Sequence, residues 1–247
     1  QHRDAADRGP HTLVAVAQAL REKAHEERIV KLELTLMGVA PPETDLLTEY
    51  DIAFQEIPAG KLRRYFSLLN FWDSTRTLRG IAKALFLFTM RPPDAVFAKG
   101  GYDTFPVLVA SRLFRIPVMI HESDAVPGMV NRWAASFAAR IAVAFPSAAA
   151  LFPKEKTAIV GNPIRKSVLG GSRDEGLAFF RLRSDVPTVL ILGGSQGARP
   201  LNDALIPVLA EALEHIQIIH QCGNNLYPEV KAEAEVVLEK SARRERY

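Results

Sequence analysis

One cysteine, Cys222, stands in a chain of 247 residues. That scarcity excludes an intramolecular disulfide framework and makes a reducing, cytosolic compartment the expectation. Long apolar runs are missing too. The most extended, Ile81 to Met90, covers ten residues and carries Lys83 inside it, whereas a bilayer-crossing helix needs about 20 apolar residues. A membrane-spanning helix is therefore not expected. No charged–apolar–small-residue signal opens the chain, so secretion is not expected either. No internal repeat or low-complexity tract stands out, and no nucleic-acid-binding motif is present, so a nucleic-acid partner is not expected. What remains is an ordinary folding composition, 48% apolar and 24% charged, long enough for one large domain or two of usual size.

The net charge is only +3, but it is unevenly placed. Between Lys61 and Arg91 stand seven basic residues (Lys61, Arg63, Arg64, Arg76, Arg79, Lys83 and Arg91) against one acid, Asp73. Six of the twenty aromatic residues lie in the same window: Tyr65, Phe66, Phe71, Trp72, Phe86 and Phe88. Basic charge interleaved with large apolar groups suits an anionic partner with an apolar component. A core-facing helix with a solvated basic side is the plainer alternative.

Short apolar runs alternate with helical periodicity. Strands are predicted at Leu32–Met37, Ile52–Ile57, Ala95–Ala98, Pro117–His121, Ile141–Ala144, Ala158–Val160, Thr188–Leu192 and Gln217–His220. Helices are predicted at Leu13–Glu27, Arg63–Met90 with a possible break, Phe105–Phe114, Val126–Ala139, Ala198–Glu214 and Tyr227–Ser241. This alternation predicts an α/β fold with parallel sheets and helices on both faces. Ligands in such folds bind outside the carboxyl ends of the strands. After Val160 the composition shifts through Gly161-Asn162-Pro163 into a polar stretch, Ser167 to Asp185, with little strand character. Residues 1–161 read as one domain and 162–247 as a second. The second holds about two strands and two helices, fewer than a parallel sheet needs to cover its faces and edges. It is expected to be partial, and the first domain to lack its opening strand.

Five local patterns carry chemistry. Thr188–Leu192 runs into Gly193-Gly194-Ser195-Gln196-Gly197-Ala198-Arg199, a strand, a glycine turn and a helix start. Glycines there let the backbone turn sharply, and helix-start amides favour anions, which suits a diphosphate. The Lys-Ser/Thr ending of a P-loop is lacking, and the spacing is not GxGxxG. A second pair, Gly100-Gly101, follows Phe97-Ala98-Lys99 and precedes Tyr102 and Pro106, a proline placed where a first helical turn tolerates it. Third, His121-Glu122-Ser123-Asp124 leaves a strand end, followed by Pro127-Gly128 and Asn131; these groups suit acid–base work, sugar hydroxyls or simple helix capping. A metal site is the weaker option, because the ligands lack helical spacing. Fourth, Arg165 after the Gly161-Asn162-Pro163-Ile164 turn can reach a ligand between domains or simply lie on the surface. Fifth, His11 opens the first helix, where it can titrate near neutral pH and act as a base. The remaining histidines, including His220, stand in no motif.

Together these patterns resemble the MurG family of glycosyltransferases. The resemblance rests on Gly100-Gly101-Tyr102, Ile116-Pro117 to His121-Glu122, Val126-Pro127-Gly128 to Asn131, Gly161-Asn162-Pro163-Ile164-Arg165, and Gly193 to Arg199 with Asn202, in order and spacing from about residue 9 to 225. It implies a GT-B fold of two Rossmann-like domains, with donor and acceptor meeting in the cleft between them. It also implies inverting, metal-independent transfer of N-acetylglucosamine from UDP-N-acetylglucosamine to the 4-hydroxyl of the N-acetylmuramyl sugar of lipid I, the undecaprenyl-diphosphate-linked pentapeptide acceptor. No cofactor is implied. By resemblance His11 is the candidate base, with His121 and Glu122 as alternatives or orienting groups. Gly9, Tyr102, Asp124, Asn131, Arg165, Gly194, Ser195, Gln196, Gly197 and Asn202 fall where the family meets its substrates. Arg63, Arg64, Phe66, Leu69, Phe71 and Trp72 fall in the region by which such enzymes rest on the anionic cytoplasmic face of the bacterial membrane.

The pattern departs from the family at three places. The family opens with a strand and a glycine loop ending Gly-Gly-His, here reduced to Gly9-Pro10-His11, and Pro10 removes one backbone donor. Asp124 stands where the family usually has Asn, exchanging an amide for an acceptor-only carboxylate. The family's uracil and ribose contacts lie beyond residue 247. Two other readings share these residues: a UDP-sugar epimerase or another lipid-linked N-acetylglucosamine transferase of the same fold, and a non-catalytic membrane-surface module that needs a partner chain.

Overall fold

The computed structural model describes residues 9–39, 44–60, 69–166, 169–194 and 197–247, and the side chains among them except those of 9–11, 44–46 and 69–71. The chain divides into two compact units, Gln1–Ser167 and Val168–Tyr247.

In the first unit, α1 (Gly9–Glu26) leads to β1 (Leu34–Gly38), α2 (Thr44–Glu49) and β2 (Ile52–Glu56). β1 and β2 pair in parallel from Leu34 beside Ile52 to Gly38 beside Glu56. The long α3 (Leu69–Met90) then feeds β3 (Val96–Ala98), α4 (Phe105–Leu113), β4 (Val118–Glu122), α5 (Met129–Ala134), β5 (Arg140–Val143), α6 (Pro146–Ala149) and β6 (Thr157–Ile159). β3 to β6 form one parallel sheet with neighbours in chain order. Parallel pairs need crossover connections, and the helices supply them. Among the described residues the unit has two sheets rather than one continuous sheet: β1–β2 and β3–β6. Both nevertheless rest on one core, because Met37 of β1 and Val96 of β3 pack against Ile57, Ala84, Phe88, Val107 and Ala110. α3 explains its own orientation: Gly80, Ala84 and Phe88, at successive four-residue steps, are its buried stripe. A second core fills the space over the larger sheet, with Leu108, Val118, Ile120, Ile141, Val143 and Phe152 at its centre.

The second unit contains α7 (Arg173–Phe179), β7 (Thr188–Leu192), α8 (Arg199–Leu205), α9 (Leu209–His215), β8 (Gln217–Gln221) and α10 (Tyr227–Val237). β7 and β8 pair in parallel from Thr188 beside Gln217 to Leu192 beside Gln221. Leu205, Leu209, Leu213, Ile218, Val230, Ala234 and Leu238 form its core, while Val189, Leu190 and Leu192 of β7 remain exposed.

Strand positions agree with the sequence patterns to within one or two residues, but the helices differ more. α1 runs from Gly9 rather than Leu13, α10 ends at Val237 rather than Ser241, and α2 and α6 arise where no helix is predicted. Three further helices depart for visible reasons. The span Val126–Ala139 is helical only over Met129–Ala134. The Lys156 ammonium donates to the carbonyls of Ala135 (2.5 Å) and Ala138 (3.1 Å), satisfying the groups a continuing helix would have used. The span Ala198–Glu214 breaks at a 3₁₀ turn, Ile206–Val208, around Pro207, which has no N–H to give. α7 arises in the stretch read as merely polar. Its Ser172 cap accepts from Glu175 N at 3.4 Å, half of a capping box.

Candidate functional site

Four segments of the first unit meet at the carboxyl rim of its larger sheet. β3 ends in Lys99-Gly100-Gly101, β4 ends in His121-Glu122, α5 presents Asn131, and the Lys99 ammonium lies 3.0 Å from the Thr12 hydroxyl in the opening turns of α1. Glu122, only 4% exposed, organises the rim. Its carboxylate accepts from Asp124 N (3.0 Å), Gly128 N (3.0 Å) and Asn131 Nδ2 (2.9 Å). A buried carboxylate is tolerated when it is met by donors in this way. The same Asn131 nitrogen approaches the carbonyls of Lys99 and His121 at 3.3 Å, so one amide joins the two strand ends. Gly100 leaves room for it, since a Cβ there would stand 2.5 Å from the Asn131 amide.

His121 is buried, and both ring nitrogens are engaged. Nε2 lies 2.9 Å from the Gly161 carbonyl and Nδ1 lies 3.3 Å from the Ser123 hydroxyl. A carbonyl can only accept, so Nε2 carries the proton and Nδ1 keeps its lone pair for the Ser123 O–H. Burial is the main cause that holds this imidazole below its ordinary value; the Lys99 charge works in the same direction, while the Gly161 carbonyl and Glu122 oppose. The result is a neutral histidine flanked by a cation and a carboxylate. Asp103, further along the same loop, is pushed up by burial.

The second unit has a rim of its own. Gly193 N donates to the Gln221 carbonyl (3.0 Å), tying the exits of β7 and β8 together. Gly194 and Gly197 hold φ of +77° and +76°. A Cβ on Gly197 would fall 2.0 Å from the Cys222 carbonyl, whereas one on Gly194 would meet nothing within 4 Å. Gly197 is therefore pressed against β8's exit, while Gly194 faces open space, where a ligand can approach its backbone. Asn202, 2% exposed on α8, donates from Nδ2 to the Cys222 carbonyl at 3.2 Å and receives His220 Nε2 on Oδ1 at 3.0 Å. Arg199, just past the turn, makes a bidentate pair with Glu229 at 2.6 and 2.7 Å.

Of the residues singled out from sequence, His121, Glu122 and Asn131 come together on one rim, and Gly194, Gly197 and Asn202 on the other. Asp124 is exposed beside Glu122, which holds its N–H. Half-buried Tyr102 accepts from Phe105 N. Arg165 is half-buried with its charge felt by Tyr50, and neighbouring Lys166 pairs with Glu22 of α1 at 2.6 Å. Gly9 and His11 form the first turn of α1, with the imidazole outside the described side chains. Trp72 is 68% exposed on α3; Leu69 and Phe71 share that helix with undescribed side chains. Ser195, Gln196, Arg63, Arg64 and Phe66 lie outside the described residues. Sequence reasoning missed Lys99 and His220 as site residues. Lys99 stands at a strand end next to Gly100, the same signal that identified the others, whereas His220 is defined by partners distant in sequence.

Residues 12–143 match the family model of the glycosyltransferase family 28 N-terminal domain, and residues 188–243 that of its C-terminal domain. A curated Bacillus thuringiensis (strain Al Hakam) protein is named UDP-N-acetylglucosamine–N-acetylmuramyl-(pentapeptide) pyrophosphoryl-undecaprenol N-acetylglucosamine transferase 3. It is 40% identical over 181 residues, 73% of this chain and 51% of that protein. The crystal structure of Acinetobacter baumannii MurG superposes with a TM-score of 0.58 at 26% identity, covering 93% of this chain and 60% of that one. A UDP-GlcNAc 2-epimerase from Neisseria meningitidis, bound to UDP-GlcNAc, has the same fold, with a TM-score of 0.62 at 13% identity over 96% of this chain and 68% of that one. The chain spans about half the length of the curated relatives it matches.

Proposed function

The chain belongs to glycosyltransferase family 28, and from that membership we propose that its protein transfers N-acetylglucosamine from UDP-N-acetylglucosamine to the 4-hydroxyl of the N-acetylmuramyl sugar of lipid I. The bond between that oxygen and the sugar's anomeric carbon forms as the anomeric carbon–phosphate oxygen bond breaks. Configuration inverts, UDP leaves, and the hydroxyl proton passes to a base. The second unit, Val168–Tyr247, receives the donor, and the first, Gln1–Ser167, receives the acceptor.

The observation that carries the reading is the Gly193–Gly197 turn, pressed onto the Cys222 carbonyl at Gly197 and open at Gly194. The backbone at Gly194, where a side chain would meet nothing, is the face proposed to receive a departing diphosphate. Arg165 is a proposed substrate contact, and Ser195 and Gln196 are assigned to the donor side, with Asn202 supporting it from α8. In the first unit Glu122 has its oxygens occupied by three N–H donors, which suits orientation rather than proton removal. His11 is the proposed base, His121 an orienting neighbour, and Gly9, Tyr102, Asp124 and Asn131 surround the acceptor. The exposed side of α3 carries Trp72, Phe86 and Met90 with Arg76, Arg79 and Lys83 between them at three- and four-residue steps. That pattern supports peripheral contact with an anionic membrane, where a polyprenyl diphosphate acceptor resides.

Radiolabelled UDP-N-acetylglucosamine offered to the whole protein with vesicles containing a lipid I analogue tests this. Label in the lipid phase, with UDP released only when acceptor is present, is the expected result. UDP release without acceptor would indicate an epimerase instead. Vesicle binding indifferent to nucleotide sugars, with no turnover, would indicate a non-catalytic surface module.

A further inference from the structure

A line of hydrogen bonds in the second unit runs through Asn202, behind the donor side described above. The Tyr247 hydroxyl lies 2.8 Å from His220 Nδ1, His220 Nε2 lies 3.0 Å from Asn202 Oδ1, and Asn202 Nδ2 donates to the Cys222 carbonyl at 3.2 Å. The proton positions follow from the far end. A backbone carbonyl only accepts, so Asn202 must turn its nitrogen to Cys222 and its oxygen to His220. That oxygen also only accepts, so the imidazole proton is on Nε2. Nδ1 is left with a lone pair, which the Tyr247 O–H fills. Burial favours both protonation states, holding His220 below its ordinary value and pushing the Tyr247 phenol up to about 12. The line ends at the carbonyl against which Gly197 is seated, one residue beyond the Gln221 carbonyl that accepts from Gly193 N.

We infer that His220 is a positioning residue: as the Nε2–H tautomer it holds Asn202 to the Cys222 carbonyl and thereby fixes the β8 exit on which Gly193 and Gly197 are seated. The inference rests on the reading of that turn as a diphosphate cradle. His220 acts through Asn202. No other residue type supplies a donor and a lone pair on opposite edges of one rigid ring, so its neutral state and tautomer matter more than its bulk.

The test uses the 247-residue chain labelled with ¹⁵N, as the native sequence, His220→Leu and His220→Gln, with inorganic diphosphate and UDP as probes. In the native chain at neutral pH, long-range ¹⁵N–¹H spectra are expected to show His220 protonated on Nε2 alone. His220→Leu, checked for folding by circular dichroism, is expected to displace the amide signals of Gly193, Gly194 and Gly197 and to weaken both probes about tenfold, the worth of roughly one hydrogen bond. His220→Gln, which keeps a donor near the Nε2 position, is expected to restore the signals and most of the affinity. An Nδ1–H tautomer or an imidazolium in the native chain overturns the inference, whatever the variants do. Unmoved glycine signals in folded His220→Leu overturn it as well. If the native chain binds neither probe while tautomer and glycine signals behave as expected, the cradle reading fails and the positioning role stands.

Discussion

The two rims are built alike and equipped differently. Each sets a buried asparagine from a following helix against a strand exit and presses a glycine there: Asn131 on α5 bridges the exits of β3 and β4, whereas Asn202 on α8 bonds only at the exit of β8. In the first unit the junction is ionisable, with Lys99, His121 and Glu122 within one cluster. In the second, Cys222, Asn202, His220 and Tyr247 form a line without a formal charge. Under the proposed function the difference is a division of labour. A rim that must handle a hydroxyl proton needs titratable groups held in fixed orientation. A rim that receives an already charged diphosphate needs oriented dipoles, and a buried carboxylate there would oppose the ligand.

The strongest way to break the comparison is to remove the charged anchor. Glu122→Ala orphans three N–H groups that now meet a carboxylate, and the expected loss is about 4 kcal/mol. Trp72 and Trp133, the chain's two tryptophans, both lie in the first unit, so urea unfolding followed by tryptophan fluorescence reads that loss directly. Glycine substitutions come next and sharpen the contrast within the second unit. Gly197→Ala adds a methyl 2.0 Å from a backbone oxygen on top of the left-handed φ, for an expected cost of about 3 kcal/mol. Gly194→Ala carries the same φ but meets open space, for about 1 kcal/mol. Equal losses of far-ultraviolet thermal stability for the two would contradict this arrangement.

The smallest effect is pH dependence. Burial holds His121 and His220 below the ordinary value in the folded chain, so the unfolded chain binds more protons once the pH drops below about 6.5. Their contribution to stability is complete above that value and is lost as the pH falls through the folded values. Urea midpoints are expected to drop on acidification, and His121→Gln is expected to flatten the part seen by tryptophan fluorescence. A midpoint that rises on acidification over that window contradicts it.

Much of this was legible in the sequence because parallel strands advertise themselves as short apolar runs ending in glycine. Thr188–Leu192 and its glycine turn, and His121-Glu122 at the exit of β4, could be placed from local order alone. The helix ends could not. α5 stops where Lys156, 21 and 18 residues away in sequence, reaches the Ala135 and Ala138 carbonyls just past its end, and no local pattern holds that information. Pro207 sits inside an apolar period that masks it, while the Ser172–Glu175 capping signal was readable but lay in a stretch too polar to attract attention. His220 is the clearest omission. Its partners Asn202 and Tyr247 are 18 and 27 residues distant, so its role depends on the β7–β8 pairing rather than on any motif.

The division between the rims is tested most directly by amide chemical-shift mapping of the ¹⁵N-labelled chain with UDP and, separately, with a soluble analogue of the acceptor's sugar diphosphate head. UDP is expected to move the amides of Gly193, Gly194, Gly197 and Gly223, and the acceptor analogue those of Gly100, Gly101 and Tyr102. UDP shifts gathered at Gly100 and Gly101, with the Gly193–Gly197 turn unmoved, would contradict the assignment.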